Sequence, residues 1–573
     1  MQIEDELRST ENNVANGDFF MKRTYLLLSA STALVVNGAG SGAVAHVSNV
    51  SHATAIAPVN PNNWLGFANT HDSQRRSDLK QITRANVDRL AVTSTYDLGE
   101  TSNFASAPVV IDGVMYISAN TSTLAIDAVT GTLKWKHVYR DFKPSPPPDA
   151  INNSRGVAYA DGRIFRGVGN GYVYAHDAVT GKVLWKVKGA SQVGGESLPA
   201  APQVWKGHVF TTLAGGDIAG VRGRVMAFDV TTGKRDWTFE LAPISGAGSE
   251  TWPKPTAQVP RTGGGSYSSS TLDEKAGLLY VPVGNAGPDF DIAARPGLNL
   301  YTNSIVVLKA DTGKLVKYFK ITPDDYHDWD IVAPPALITT KGGVRMMSAG
   351  AKDGYLYGID LDTGKTLYKS VITTRENTAA PVSAAGTRFC PGIRGGVQWN
   401  GPSFDPPSNT LFIGTADVCT TVKLGSPPPP VELGKTYSGE PKGSFFGTFD
   451  PFDQAKGWLT AVDADSGKIK WRYHAEAPVI AGVISTAGGL VFTADLRGNV
   501  MAFDELNGNM LYKHATGQPV GGGVITYAVN GKQYIAVAAG MESQAEWRIK
   551  GTRAQVFIFS LPAKGAEPNR AVR

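Results

Sequence analysis

A short repeat constrains the fold of this chain more than any other sequence feature. The pattern A-h-D-x-x-T-G-x-x-x-W, in which h is an apolar residue, begins at Ala125, Ala175 and Ala227. Weaker copies begin at Val307, Gly358, Ala461 and Ala502. Most copies follow one another at intervals of roughly 40 to 50 residues, which is the period expected of propeller blades and similar repeat arrays.

Each copy is typical of two strands joined by a tight turn. The residues before the Asp favour β-structure, the T-G pair allows the turn, and the chain returns through a second strand to a Trp or Tyr. Stretches such as Pro108 to Ala119, with Asp112-Gly113 at the centre, supply a second hairpin per unit. Four strands per unit predict propeller blades, with the Trp or Tyr packed between neighbouring blades.

The number of blades is inferred from the copies. Seven are visible, and the long interval between Gly364 and Gly467 can contain one more. The stretch from Gly401 to Asp417 is predicted to be the hairpin of that unmarked unit. We therefore predict an all-β fold, an eight-bladed β-propeller of four-stranded antiparallel blades, over residues 46–565.

Two stretches depart from the repeat. Ser77 to Leu90 (SDLKQITRANVDRL) precedes the first unit and predicts a helix on the outside of the propeller. A Pro-rich run from Ser426 to Val431 begins a long loop that could cover a ligand-binding face or be inert.

The N-terminal region has the three parts of a secretory signal. Lys22 and Arg23 are followed by an apolar run from Tyr25 to Val36 and by Ala43-Val44-Ala45. A short buried helix is the alternative. We interpret residues 1–45 as an extension and signal peptide with the true start at Met21, which implies a periplasmic protein. The apolar run is too short for a permanent membrane anchor, and residues 566–573 are predicted to be a disordered tail.

Charge and cysteine content exclude some functions. A net charge of +5 without a basic, aromatic-rich run gives no support to nucleic-acid binding. Cys390 and Cys419, the two cysteines of the chain, are expected to pair in an oxidising compartment rather than to be free thiols or metal ligands. The chain has no C-x-x-C-H motif for a covalent haem.

The segment from Thr322 to Pro335 concentrates ionisable side chains. It contains Asp324, Asp325, His327, Asp328 and Asp330, interrupted by aromatic residues. In an extended segment, Asp328 and Asp330 share one side while His327 and the following Trp share the other. Two close carboxylates need a cation or a shared proton between them. A solvated Asp- and Pro-rich loop is the alternative interpretation.

Several motifs, taken together and in order, resemble one enzyme family. They are R-x-S-D-L-x-Q-I at Arg75, GVRG at Gly220, GSETW at Gly248, VGNAGPD at Val283, TPDDYHDWD at Thr322, CPGIRGGVQWNGP at Cys390 and STAGGLVF at Ser485. This series resembles the type I quinoprotein alcohol dehydrogenases, which are eight-bladed propellers with pyrroloquinoline quinone and a metal ion in the central channel.

The resemblance implies a catalytic base and a metal site. Asp328 matches the family's catalytic Asp. Asp330 matches a second Asp that marks lanthanide-using members, although some sugar dehydrogenases with ordinary divalent metals have a similar D-x-D. The implied metal ligands are Asn285, Asp217, Asp328 and Asp330, where Asp217 stands in for a Glu that the family places one residue nearer to GVRG. Calcium is the expected ion, and a lanthanide remains open.

The resemblance also implies cofactor contacts. Arg155 matches an arginine that pairs with a cofactor carboxylate, Lys352 falls near the quinone oxygens, and Tyr267 stands where a Trp commonly stacks on the cofactor. The adjacent Cys-Cys pair of the family is absent, and Ala105 and Pro199 replace polar residues. Cys390 and Cys419 match a family disulfide.

The implied activity is oxidation of a primary or secondary alcohol to an aldehyde or ketone. The missing Cys-Cys pair and the small replacements favour a substrate larger than methanol. An external cytochrome c or another acceptor would take the electrons, and the protein would be a monomer or homodimer. Two alternatives stay open. One is a quinone-dependent sugar or polyol dehydrogenase, and the other is a non-catalytic propeller scaffold of the outer-membrane assembly type.

Overall fold

The computed structural model of the protein describes residues 60–142, 153–190, 194–544 and 547–563. The predicted signal peptide over residues 1–45, the expected start of the mature chain near residue 46 and the expected tail over residues 566–573 lie outside these ranges. Within them, no helix combines the length and the apolar character needed to cross a membrane.

The described chain is built from β-strands. In chain order the first strands are β1 (Arg76–Ser77), β2 (Ala91–Asp97), β3 (Phe104–Ala107), β4 (Val109–Ile111), β5 (Val114–Ser118), β6 (Ser122–Asp127), β7 (Leu133–Val138), β8 (Ser154–Gly156), β9 (Ala158–Ala160), β10 (Arg163–Gly167), β11 (Tyr172–Asp177) and β12 (Val183–Lys188). They are followed by β13 (Gln203–Trp205), β14 (His208–Thr212), β15 (Arg224–Asp229), β16 (Arg235–Glu240), β17 (Thr271–Asp273), β18 (Leu278–Val283), β19 (Ser304–Lys309), β20 (Leu315–Lys320), β21 (Ala336–Thr339), β22 (Arg345–Gly350), β23 (Tyr355–Asp360), β24 (Thr366–Val371) and β25 (Thr387–Phe389). The last are β26 (Ser403–Asp405), β27 (Thr410–Asp417), β28 (Thr420–Val422), β29 (Thr448–Phe449), β30 (Lys456–Asp463), β31 (Ile469–Ala475), β32 (Ile484–Thr486), β33 (Leu490–Ala494), β34 (Asn499–Asp504), β35 (Met510–Ala515), β36 (Val524–Val529), β37 (Lys532–Ala539) and β38 (Gln555–Ser560). Short 3-10 turns occur at Val87–Arg89, Ser249–Thr251, Ile292–Ala294 and Phe452–Gln454.

Most strands belong to four-stranded antiparallel sheets. The sheets of this kind are β4-β5-β6-β7, β9-β10-β11-β12, β13-β14-β15-β16, β17-β18-β19-β20, β21-β22-β23-β24, β26-β27-β30-β31 and β2-β38-β37-β36. In one more sheet, β32-β33-β34-β35 is extended by β1, which pairs parallel to β32. Strands β3 and β8 form a parallel pair, and β25, β28 and β29 form a small separate sheet.

The repeat corresponds to the turn between the third and fourth strands of a sheet. In the first copy, Gly131 has a φ of 73° between β6 and β7. The Asp127 carboxylate accepts hydrogen bonds from the backbone N–H groups of Val129 and Thr130, at 3.0 and 2.9 Å. A local Asp cap followed by a glycine in the left-handed region is a favoured way to close such a turn.

The aromatic residue of a repeat packs against the next repeat. The indole N–H of Trp135 donates to the carbonyl of Ala178 at 2.9 Å, and a Cβ on Gly181 would lie 2.5 Å from the Trp135 ring. The same close approach joins Trp185 with Gly233, Trp237 with Gly313, Tyr368 with Gly467 and Trp471 with Gly508. The predicted packing of these aromatic side chains between sheets is therefore confirmed.

The two ends of the described chain close the succession of sheets. Strand β2 lies near the start of the described chain yet pairs with β38 near its end. The hydroxyl of Ser94 in β2 donates to the carbonyl of Val129, which lies in the turn of the first repeat, at 2.9 Å. The hydroxyl of Tyr527 in β36 donates to the neighbouring Ala128 carbonyl. The last sheet therefore packs on the first as the others pack on their neighbours.

One prediction about the units is wrong. Gly401 to Asp417 does contain a hairpin, β26 and β27, but this hairpin shares a sheet with β30 and β31, which carry the copy at Ala461. The copy is separated from its hairpin because residues 418–455 are inserted between the second and third strands. The sheet without a recognisable copy is instead the one formed by β2 and β36 to β38.

The predicted helix from Ser77 to Leu90 is also wrong. The described structure there is strand β1 and the 3-10 turn Val87–Arg89. The backbone N–H of Ile82 donates to the side-chain oxygen of Gln533 at 2.9 Å, and that of Thr83 donates to the Asn86 side chain at 2.8 Å. Contacts with the sheets override the local helix propensity, because they satisfy backbone groups that a helix would have paired internally.

Antiparallel pairing divides the connections into two groups. The turns between first and second strands and between third and fourth strands lie at one end of each sheet. The connections between second and third strands, and those leading into the next sheet, lie at the opposite end. The longer connections of this second group carry the side chains considered next.

Candidate active site

A cavity opens among these connections. All seven side chains singled out from the sequence as catalytic, cofactor or metal residues line it. They are Arg155, Asp217, Tyr267, Asn285, Asp328, Asp330 and Lys352. The fold thus brings together residues that are far apart in the chain and come from different sheets.

Asp330 is the centre of the polar wall. Its Oδ2 accepts hydrogen bonds from the ammonium of Lys352 at 2.6 Å and from the hydroxyl of Tyr267 at 3.0 Å. Its Oδ1 accepts from the backbone N–H of Asn285 at 2.8 Å. A Cβ on Gly284 would lie 2.5 Å from that same oxygen. The G-N dipeptide therefore has a packing reason, since only glycine leaves room for the carboxylate.

Asp328 lies beside Asp330 on the same side of its segment. Its Oδ2 is 3.2 Å from the Lys352 ammonium. On the other side, the rings of His327 and Trp329 stack with centroids 4.1 Å apart. The prediction that the two Asp side chains and the two rings lie on different sides of the segment is confirmed. The backbone is nevertheless not a strand, since Asp328 has a φ of 60°.

Asp325 holds this irregular segment in place. Its Oδ1 accepts from the backbone N–H of His327 at 3.0 Å, and its Oδ2 accepts from that of Trp329 at 3.1 Å. The indole N–H of Trp329 donates to the carbonyl of Pro391 at 3.0 Å. Asp325 therefore has a structural role, since it fixes the backbone on both sides of Asp328.

The buried charges shift each other's protonation. Burial raises the pKa of Asp328, the Lys352 ammonium opposes this, and the Asp330 carboxylate raises the pKa further. Burial lowers the pKa of Lys352, but the two carboxylates more than offset this and hold it well above its usual value. Burial, followed by the Asp330 carboxylate, raises the pKa of the Tyr267 hydroxyl. With Asp217 also near, three carboxylates surround the one ammonium of Lys352 in this part of the cavity, which favours a cation beside them.

The oxygen atoms of the cavity are the kind that hard cations bind. Carboxylates and an amide oxygen suit calcium and similar ions. Within the described ranges, no group of three His, Cys, Asp or Glu side chains is arranged to hold a metal ion. An ion here would need the Asn285 amide and oxygen atoms of a bound cofactor in addition to the carboxylates.

Another part of the cavity lining is aromatic and cationic. The guanidinium carbon of Arg155 lies 3.6 Å from the ring centroid of Trp399 and 5.9 Å from that of Tyr267. Trp399 is fixed by its indole N–H, which donates to the carbonyl of Gly521 at 2.8 Å. A planar aromatic cofactor with carboxylates fits such a lining, because rings offer a stacking surface and a guanidinium binds carboxylates.

Part of the cavity lining is apolar. It includes Ile393, Phe445, Phe446 and Trp547. Phe445 and Phe446 come from the long loop after the Pro-rich run, so this loop does cover the cavity. Glu440, buried in the same loop, accepts hydrogen bonds from the backbone N–H groups of Phe446 and Gly447 at 2.8 and 2.7 Å.

The loop is fastened to the polar wall through backbone hydrogen bonds. The N–H of Tyr437 donates to the carbonyl of Asp217 at 2.8 Å, and the N–H of Phe290 donates to the carbonyl of Ser438 at 2.9 Å. Both contacts lie at or near residues predicted to bind a metal. The one-residue shift of Asp217 relative to the family pattern therefore does not remove it from the cavity.

Cys390 and Cys419 form the expected disulfide bond. It joins the segment that leads into β26 to the connection between β27 and β28. The backbone that follows Cys390 carries Ile393 and Arg394, which line the cavity. The bond thus tethers the base of the loop to one wall of the cavity.

The sequence analysis did not identify some of the residues that line the cavity. Trp399 lies within the CPGIRGGVQWNGP motif and could have been chosen as the aromatic surface that Tyr267 was expected to supply alone. Arg394 lies in the same motif, and its guanidinium carbon is 3.3 Å from the Phe449 ring centroid. Phe445, Phe446 and Trp547 gave no signal, because loop residues outside a repeat carry no positional information.

Comparison with known proteins identifies the class. Residues 64–373 match the pyrroloquinoline quinone (PQQ) family described as glucose/ethanol/alcohol dehydrogenase, β-propeller domain. Residues 455–554 match the family of the outer membrane protein assembly factor BamB. The dehydrogenase subunit of the alcohol dehydrogenase (quinone) of Komagataeibacter europaeus is 30% identical, covering 88% of this chain and 76% of that protein.

Solved structures agree with this result. The quinohemoprotein alcohol dehydrogenase of Comamonas testosteroni superposes with a TM-score of 0.77 at 26% identity, covering 89% of this chain and 82% of that one. A europium-containing methanol dehydrogenase superposes with a TM-score of 0.75 at 25% identity, covering 88% and 99%. The chain belongs to the PQQ-dependent alcohol dehydrogenase family. The resemblance drawn from the sequence motifs is confirmed, and so is the prediction of an oxidoreductase.

Proposed function

We propose that this protein oxidises a primary or secondary alcohol larger than methanol to an aldehyde or ketone, with Asp328 as the general base. The observation that carries the proposal is the juxtaposition of Asp328, Asp330 and Lys352 in a cavity that is also lined by aromatic side chains. A non-catalytic propeller has no need of buried like charges, which cost folding free energy.

The residues of the cavity fit the cofactor of the family. In this proposal, Arg155 binds a carboxylate of PQQ and Lys352 lies near its quinone oxygens. Trp399 and Tyr267 provide the surface on which its rings stack. The ion ligands would be Asp217, Asn285, Asp328 and Asp330, with calcium expected and a lanthanide as the alternative. When bound, the quinone and its ion supply a two-electron acceptor for the hydride that leaves the substrate carbon.

Asp328 provides the proton acceptor. Its carboxylate lines the cavity, is buried, and is held by the Lys352 ammonium 3.2 Å away. Oxidation of an alcohol releases a hydride from carbon and a proton from oxygen, and the carboxylate takes this proton. A bound cation would offset the burial that raises the pKa of Asp328, so that the carboxylate is ionised when the substrate arrives.

The walls of the cavity support the inferred substrate size. Phe445, Phe446, Trp547 and Ile393 offer apolar surface to the part of the substrate that does not react. Burying that surface favours alkyl or aryl alcohols over methanol, which has too few carbon atoms to contact it.

The remaining features are also proposals. The sheets with four antiparallel strands support an eight-bladed propeller closed by β2. The signal-like N-terminus and the disulfide support a periplasmic location. Electrons would pass to an external cytochrome c or another acceptor, and the protein would be a monomer or homodimer.

A scaffold function is the main alternative, because residues 455–554 match a family of outer-membrane assembly factors. That match covers blade repeats and none of the seven predicted site residues. A sugar or polyol dehydrogenase is the second alternative, and the aromatic side chains that line the cavity disfavour it.

The test is reconstitution of the purified protein. Dye reduction would be measured with methanol, 1-butanol, benzyl alcohol and glucose, with and without PQQ, and with calcium or lanthanum. We expect activity that requires both quinone and ion, with kcat/KM highest for 1-butanol or benzyl alcohol. Absence of dye reduction together with absence of quinone binding would contradict the proposal, and preference for glucose would favour the sugar enzyme.

A further inference from the structure

Asp289 is a buried carboxylate next to the predicted metal ligands, and the proposed mechanism does not use it. It lies four residues after Asn285 in the connection between β18 and β19, and its side chain is fully buried. Its Oδ1 accepts a hydrogen bond from the amide nitrogen of Asn285 at 2.6 Å. Within the described part of the chain, its Oδ2 has no hydrogen-bond partner.

The contact decides which end of the Asn285 amide faces the cavity. A side-chain amide has a donating nitrogen and an accepting oxygen, and a carboxylate attracts the nitrogen. Because Asp289 holds the nitrogen, the oxygen of Asn285 is left for the cavity that this residue lines. Oxygen is the atom that calcium or a lanthanide binds, whereas the NH2 group would repel the ion.

Asp289 is itself held firmly. The buried guanidinium of Arg295 donates to the carbonyls of Pro288 and Asp289 at 2.8 and 3.1 Å. It also donates to the carbonyl of Asp325 at 2.6 Å. Arg295 thus joins the segment of Asn285 to the segment of Asp328, which fixes Asp289 relative to both.

The location of Asp289 suits a role in orienting Asn285 better than a purely structural role. Burial, followed by the carboxylates of Asp217 and Asp328, raises the pKa of Asp289 well above its usual range. A buried acid in such a field destabilises the fold unless it contributes to a site, because a well-packed apolar residue would cost less. The orphan oxygen and the like-charged neighbours both indicate that Asp289 is retained for the ion site.

We propose that Asp289 is a positioning residue that orients the amide oxygen of Asn285 toward the bound cation. This inference rests on the proposed function, since it requires an ion at the predicted site. Residues that orient metal ligands typically change metal affinity by about 10- to 100-fold when they are removed.

The test compares two substitutions. Asp289→Leu removes the acceptor, while Asp289→Asn keeps a carbonyl oxygen that can accept the same hydrogen bond. The purified protein with PQQ would be titrated with Tb³⁺, followed by sensitised terbium luminescence, and with Ca²⁺ in competition. We expect the Leu variant to bind both ions about 10- to 100-fold more weakly and the Asn variant to remain within about threefold of the parent.

Each outcome is decisive. Parental affinity in the Leu variant would overturn the inference. An Asn variant as weak as the Leu variant would also overturn it, because the negative charge rather than the hydrogen bond would then matter. Should the Leu variant not fold, Asp289→Ala replaces it in the same titration. If the parent itself binds no ion with PQQ, the proposed function fails instead, so the two failures are distinguishable.

Discussion

The turns at one end of the sheets are close copies of one another, whereas the connections at the other end differ in length and content. In most of the copies, an Asp cap, a glycine with positive φ and an aromatic ring on the next glycine recur. At the other end, each connection contributes different side chains to one cavity. The repeated end therefore determines how the sheets pack, and the variable end determines the chemistry.

The two ends of the sheets also differ in their contribution to stability. The repeated turns satisfy their backbone groups locally and bury aromatic rings, so they stabilise the fold. The cavity holds like charges and buried polar groups, which cost stability and are retained for function. Substitutions at the two ends should therefore differ in kind, and the following predictions test this from the largest effect to the smallest.

The largest effect is expected from Lys352→Met. The substitution leaves Asp328 and Asp330 buried without their ammonium, which should lower the free energy of unfolding by about 3–5 kcal/mol. Chemical denaturation in EDTA measures the loss, and calcium with PQQ should restore part of it, because a ligand that binds the folded state stabilises it.

The control for Lys352 lies at the repeated end. Lys134 is 3.8 Å from Asp127 and exposed. Lys134→Met should change stability by less than about 1 kcal/mol, as exposed ion pairs contribute little. Equal losses of stability in the two variants would mean that burial in the cavity does not make the loss of an ammonium more costly.

The second prediction concerns the glycine under Trp135. Gly181→Ala introduces a Cβ 2.5 Å from the ring at a φ of 72°. We expect a loss of about 2–4 kcal/mol from backbone strain and overpacking together, measured by urea denaturation. The folded fraction should keep its activity.

Gly162→Ala is the matched control, since Gly162 has a φ of 71° and a Cβ added there would meet nothing within 4 Å. It carries only the backbone strain of roughly 1–2 kcal/mol. Losses of equal size at the two glycines would show that packing on the aromatic ring does not hold neighbouring sheets together.

The third prediction is a pH dependence at the repeated end. His176 is buried, with ring nitrogens bonded to the Tyr139 hydroxyl and the Gly181 carbonyl, and burial lowers its pKa to about 4. Below about pH 6.5 the unfolded state takes up the proton first, so stability falls as pH decreases toward 4.

Comparison of the parent with His176→Gln isolates this contribution, because all other titrating groups are shared. Between pH 7 and pH 5 the parent should lose about 2 kcal/mol more than the variant in urea denaturation. A pH-independent difference between the two proteins would contradict the assignment.

The smallest effect is expected at the apolar part of the cavity lining. In Glu440→Gln, an NH2 group faces a backbone N–H, which should loosen Phe446. The KM for benzyl alcohol should rise about 3- to 10-fold, equivalent to roughly 1 kcal/mol, with kcat nearly unchanged. Glu432→Gln, on an exposed part of the same loop, should leave both parameters unchanged, and a similar rise there would argue against a specific role of Glu440.

The difference between the repeated turns and the variable connections also explains which features could be predicted from the sequence. Periodicity revealed the strands and the aromatic packing, because each repeat must satisfy the same geometry. It failed for residues 418–455, where an insertion hid the relation of β27 to β30, and for Ser77 to Leu90, where distant contacts override propensity. Asp328, Asp330 and Asn285 were predictable from motifs, whereas Phe446 and Asp289 depend on tertiary contacts that no local pattern contains.

The most direct test of the account is a single-turnover measurement on Asp328→Asn. The variant would be loaded with PQQ and calcium, mixed with saturating alcohol, and followed by quinone absorbance without dye. The account predicts that quinone and ion still bind at saturating concentration, while reduction slows by about 10²- to 10⁴-fold because the proton acceptor is lost. Reduction within tenfold of the parent, with the same ion and quinone bound, would show that Asp328 is not the base.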